Sequence, residues 1–219
     1  MMPQTEKAGP HQGQPVYTVG KPLDEAKAAM ILVHGRGASA QNILELAQEL
    51  PHPDFAYLAP QAANSTWYPY SFLEPMNRNE PGITSGLQVI AELVAHVEAA
   101  GIPAERIVLA GFSQGACLAS EFVARHARRY GGLLAFSGGL IGPPDTPRDY
   151  AGSLANTPVF LGCSDVDFHI PLARVEETAV TFTNLGAHVN KQIYPGMDHT
   201  IVPDEVVHAR KIVHGVIPG

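Results

Sequence analysis

The stretch Arg106-Ile107-Val108-Leu109-Ala110-Gly111-Phe112-Ser113-Gln114-Gly115 decides how this chain folds. Its first half is a short aliphatic run bounded by turn residues, which predicts a buried strand over 107–110. Its second half bends at once into a segment of helical period beginning at Gln114. A serine on such a strand-to-helix turn, with a glycine two residues to either side, is the context a nucleophile elbow requires. The glycines leave room for strand and helix to approach closely, the turn strains the serine backbone, and the helix dipole favours negative charge developing there. Ser113 is therefore the candidate nucleophile. The plainer alternative, a capping serine in a glycine-rich turn, leaves its downstream partners unexplained.

Working outward, short apolar runs at 16–19, 29–33, 55–59, 133–136, 159–162 and 189–194 alternate with segments of helical period. That alternation predicts an α/β domain around a mainly parallel sheet of about seven strands, with helices on both faces. Leu87, Ile90, Leu93, Val94 and Val97 mark a covering helix over 86–99, and further helices are expected over 41–50, 114–127, 172–185 and 205–216. The connection 60–84 lacks a convincing period and is too long for an ordinary loop. It carries Trp67, Tyr68, Tyr70, Phe72, Leu73 and Met76, apolar surface that a soluble monomer does not normally leave in water.

The strand over 29–33 ends in His34-Gly35-Arg36-Gly37, where backbone N–H groups can point into a site. The Arg36 N–H, together with the Gln114 N–H just after the nucleophile, is the expected oxyanion hole, and the Arg36 side chain is expected to matter little. In a serine, acid, histidine order the acid follows one later strand and the base the next. Asp165 and Asp167 follow the strand over 159–162, with a slight preference for Asp167. Gly196-Met197-Asp198-His199 follows the last strand, so His199 is the expected base. His169 is the rival, but it lies beside the acids and is read as lining the pocket. His96, His126, His208 and His214 fall in predicted helices, His11 and His52 in polar or proline-rich segments, and His34 is read as holding its loop.

The chain has 219 residues, 45% of them hydrophobic, and 14 basic against 21 acidic side chains give a formal net charge of −7. One core is expected, and no electrostatic field draws the protein to nucleic acid or anionic lipid. Residues 1–14 are expected to be a flexible tail and 15–219 the domain. No apolar run reaches the roughly 20 residues that span a bilayer, so stable membrane insertion is not expected. Cys117 and Cys163 read as two buried thiols, which suits a cytoplasmic setting.

With these blocks in place, the chain resembles the phospholipase/carboxylesterase family, which includes the acyl-protein thioesterases. The elbow, His34-Gly35-Arg36-Gly37, Trp67-Tyr68-Pro69, Asp167-Phe168-His169-Ile170-Pro171 and Gly196-Met197-Asp198-His199 match its blocks in order, from about Pro15 onward. The resemblance implies a single-domain α/β-hydrolase with no separate lid domain, hydrolysing short- to medium-chain acyl esters through an acyl-enzyme and needing no cofactor or metal. It places the acid on Asp167, four residues before Pro171, and makes Asp165 a supporting residue. Trp67-Tyr68-Pro69 leans toward the bacterial carboxylesterase branch, which ranks esters above thioesters and lysophospholipids. Two departures, Phe168 where proline is common and Ala116 where a third glycine is common, bear on pocket shape. Trp67, Tyr68, Phe72, Phe168 and His169 are the expected pocket residues, with core packing the even alternative for the aromatics. The expected partner is a small acyl ester, and a homodimer is left open. A catalytically silent ligand-binding relative is the rival of another class.

Overall fold

The computed structural model describes residues 9–217. Strand β2 (Ala28–Val33) is buried throughout, with Ala29, Ile31 and Val33 in one core and Ala28, Met30 and Leu32 in the other. This is the mark of a strand covered on both faces. It lies within a seven-stranded sheet whose other members are β1 (Val16–Gly20), β3 (Phe55–Pro60), β4 (Ile107–Phe112), β5 (Gly132–Phe136), β6 (Pro158–Ser164) and β7 (His188–Tyr194). The order is β1-β3-β2-β4-β5-β6-β7, with β1 antiparallel to β3 and every other neighbour parallel. Helices α3 (Gly82–Ala99), α4 (Gln114–Arg125) and α5 (Leu172–Asn184) cover one face. On the other lie α1 (Ala40–Leu44), α2 (Leu46–Glu49) and α6 (Pro203–Val216). The fold is the single-domain α/β-hydrolase expected from the sequence.

After β3 the chain crosses β2 and lays β4 on its far side, so the order reverses between β2 and β4. In open α/β sheets, ligand sites form outside the carboxyl ends of the strands at such a point. The pairing of Val33 with Gly111 sets the ends of β2 and β4 side by side, and Ser164 with Tyr194 does the same for β6 and β7.

The structure corrects three expectations. The helix over 41–50 is two short helices, because the Glu45 and Gln48 N–H groups bond back three residues, to Asn42 and Glu45, and tighten the winding. The flexible tail does not extend over 9–14, and residues 1–8 lie outside those described. His11 is buried: its Nε2 donates to the Trp67 carbonyl at 2.8 Å, and its Nδ1 accepts from the Ala63 N–H at 3.2 Å. Burial, against hydrogen bonds to backbone, lowers its pKa and keeps that neutral tautomer in place. Finally, Trp67 is a core residue. Its side chain is fully buried, its indole N–H donates to the His34 carbonyl at 3.0 Å, and its ring packs beside those of His11 and His34. The connection over 60–84 thus folds inward, through two 3₁₀ turns at Ala63–Ser65 and Met76–Asn79.

Candidate active site

Ser113 stands between β4 and α4 with φ 54° and ψ −120°, the strained conformation the elbow demands. Its N–H is held by the Phe136 carbonyl at 2.9 Å. Glycine is needed at position 115, because a Cβ there would lie 2.0 Å from the Val33 carbonyl oxygen. Ala116, at the family's common glycine position, is accommodated by Gly138, where a Cβ would sit 2.4 Å from that of Ala116.

The loops after β4, β6 and β7 bring Ser113, Asp167 and His199 into one hydrogen-bonded line. Ser113 Oγ lies 2.8 Å from His199 Nε2, and His199 Nδ1 lies 2.6 Å from Asp167 Oδ2. The Asp167 side chain is fully buried and that of His199 is partly exposed. The other Asp167 oxygen accepts the His169 and Ile170 N–H groups at 2.8 and 3.0 Å. Burial works to raise this carboxyl. The His199 hydrogen bond and the two N–H groups outweigh it, so Asp167 is held below the usual carboxylate range and ionised. With Nδ1–H donated to Asp167, Nε2 is free to accept the Ser113 proton. Asp165 instead accepts the Gly196 N–H at 2.8 Å, tying the loop after β6 to the loop that carries His199.

His34 holds its loop: one ring nitrogen meets the Gly35 carbonyl at 2.8 Å and the other accepts the Ala62 N–H at 3.0 Å. The N–H groups of Arg36 and Gln114 are bonded to no acceptor among the described residues, and both residues line the cleft that holds Ser113. Their side chains carry a second function that sequence reasoning missed. The Gln114 amide accepts from the Trp67 N–H at 2.8 Å and donates to the Tyr68 carbonyl at 2.9 Å. The Arg36 guanidinium donates to the carbonyls of Pro69 and Tyr70 at 2.7 and 2.5 Å. The expectation that the Arg36 side chain matters little is corrected, since these two side chains fix four consecutive residues of the aromatic connection. All four bonds run to backbone atoms, which leave no trace in residue identity.

The cleft measures about 540 Å³ and is lined by Tyr68, Phe72, Phe168 and His169, among the expected pocket residues; Trp67 is not part of it. Tyr68 and Phe72 are buried, whereas Phe168 stands 93% exposed at the mouth. The His169 ring meets that of His199 edge-on at 4.9 Å. The Tyr68 hydroxyl is buried without a hydrogen-bond partner among the described residues. Cys117 also lines the cleft, but burial pushes its thiol up to about 12, so it stays protonated and does not compete as a nucleophile. Cys117 and Cys163 are free. No group of metal-ligating side chains occurs among the described residues, and no helix there is long and apolar enough to cross a membrane.

The fold and the elbow define a serine hydrolase of the α/β-hydrolase class. The chain belongs to the phospholipase/carboxylesterase family, whose model matches residues 15–217. A solved phospholipase/carboxylesterase of Dyadobacter fermentans is 44% identical, with a TM-score of 0.88, covering 91% of this chain and 96% of that one. Acyl-protein thioesterase 1 of Eremothecium gossypii is 31% identical over 81% of this chain and 83% of its own length. Acyl-protein thioesterase 1 of Saccharomyces cerevisiae is 28% identical over 86% of this chain and 92% of its own.

Proposed function

We propose that the protein is a carboxylesterase that hydrolyses short- to medium-chain acyl esters with Ser113 as nucleophile, Asp167 as acid and His199 as base. The observation that carries this reading is the line from Asp167 through His199 to Ser113, with bonds of 2.6 and 2.8 Å. His199 Nε2 takes the Ser113 proton as Oγ bonds to the ester carbonyl carbon. The Arg36 and Gln114 N–H groups receive the oxyanion. The bond to the leaving oxygen then breaks and His199 returns the proton to it. Water repeats the sequence on the acyl-enzyme, and the acid departs. The acyl part fits the inner cleft by Tyr68 and Phe72. Free, buried thiols suit a reducing compartment such as the cytoplasm.

The named thioesterase relatives favour a second reading, hydrolysis of acyl thioesters, by the same steps with sulfur as the leaving atom. The 44% identity to the bacterial phospholipase/carboxylesterase supports putting esters first. A fluorophosphonate probe should label Ser113, and Ser113→Ala should lose labelling and about 10⁶ in turnover. Failure to label the folded wild-type protein would favour the catalytically silent alternative. A panel of p-nitrophenyl esters and one acyl thioester, compared by kcat/KM, ranks the two activities.

A further inference from the structure

A second cleft, of about 850 Å³, runs between α1–α2 and α6 on the opposite face of the sheet from α4. It shares Gly35, Ala38 and Phe112 with the catalytic cleft, so the two adjoin along the loop after β2. Ile43, Leu46 and Val206 give it an apolar lining, and residues 200–203, the segment leaving His199, form one wall. Arg210 of α6 bridges to Glu49 of α2, donating to its carbonyl at 2.6 Å and its carboxylate at 3.2 Å.

An ester places its acyl part and its alcohol on either side of the reacting carbon. The oxyanion must face the Arg36 and Gln114 N–H groups, and the leaving oxygen must reach His199 Nε2, which returns the proton. With the acyl part held by Tyr68 and Phe72, the leaving group lies on the side of His199 and Phe112, whose rings are 4.9 Å apart, and Phe112 lines both clefts. Beyond Phe112 lies the second cleft. Building on the ester-hydrolase reading, we propose that the groove between α1–α2 and α6 seats the leaving alcohol of the substrate, an uncharged apolar alcohol of several carbons. Ile43, Leu46, Ile201, Val206 and Val207 make most of the lining apolar, which favours an alkyl chain. Glu45 and Glu49 at the groove disfavour an anionic headgroup, and Arg210 is already engaged by Glu49.

Two ester series test the assignment: acetates of n-alkanols from methanol to octanol, and methyl esters of acids from acetic to octanoic. In the wild type, kcat/KM should rise by up to roughly fourfold per methylene along the alcohol series until the groove is filled. Val207 is an exposed residue of α6 at this groove, outside the catalytic machinery. Val207→Trp should obstruct the groove and Val207→Asp should charge it. Each should flatten the alcohol series, while fluorophosphonate labelling, methyl acetate turnover and the acid series stay at wild-type values. If both variants keep the wild-type alcohol series, or if the acid series changes instead, the groove assignment is overturned. If the folded wild type neither labels nor turns over methyl acetate, the ester reading falls and the groove proposal with it.

Discussion

Two aspartates in one short loop have separate roles because their oxygens meet different partners. Asp167 gives one oxygen to His199 and the other to two N–H groups, so its charge and its orientation are both specified. An amide at this position keeps the volume but presents a donor where His199 Nδ1–H needs an acceptor, favouring the wrong tautomer. Asp167→Asn should therefore lose about 10⁴ in kcat, measured with a p-nitrophenyl ester on protein whose circular dichroism matches wild type. Asp165 needs only an acceptor for the Gly196 N–H, which an amide oxygen also supplies. Asp165→Asn should keep turnover within about threefold. The reverse pattern would transfer the acid role to Asp165. The residues themselves left this choice nearly even, and resemblance to the family decided it; the hydrogen bonds of the folded loop supply the physical difference.

At the scale of elements, the close crossing of α4 over the end of β2 sets the site. A methyl group at Gly115 would meet the Val33 and His34 carbonyl oxygens at 2.0 and 2.6 Å, rigid backbone on both counts. Gly115→Ala should force α4 away from β2, costing about 1–3 kcal/mol of stability in urea unfolding. It should also lower kcat more than it raises KM, because the Gln114 N–H and the oxyanion loop separate. The same crossing ties the aromatic connection to the elbow and the loop after β2, since Gln114 holds residues 67 and 68 while Arg36 holds 69 and 70. Under the proposed mechanism, the two residues that hold this wall of the cleft would also supply the oxyanion donors.

Across the whole molecule, two buried carboxylates pull the pH dependence of stability in opposite directions. Asp167 is held low, so its contribution is present above the ordinary aspartate range and is lost as pH falls through its folded-state pKa. Glu205, fully buried at the start of α6, accepts the Val202 N–H at 2.8 Å with one oxygen, and the other has no partner among the described residues. Burial, reinforced by Asp204 and opposed by the Val202 bond, pushes its carboxyl from 4.5 to about 7. Between those values the folded state holds a proton that the unfolded chain has released. Stability from Glu205 is therefore full below about pH 4.5 and lost as pH rises through 7. Glu205→Gln keeps an acceptor for Val202 and removes the charge. It should raise urea-unfolding stability at pH 8 by at most about 3 kcal/mol and change it little at pH 4.5.

The sequence by itself determined the sheet, the elbow and the order of serine, acid and histidine, because each depends on period, turn chemistry or position along the chain. Apolar runs covered on both faces read as central strands whatever packs on them, and a serine between two glycines after such a run has few conformations open to it. Tertiary structure alone decided that His11 is buried beneath Trp67, that Trp67 belongs to the core, and that Arg36 and Gln114 clamp the aromatic connection. These contacts join residues far apart in the chain, and most end on backbone carbonyls or N–H groups that every residue type presents alike. Their partners are set by the crossing of β2, β4 and α4 in space, which local sequence does not encode.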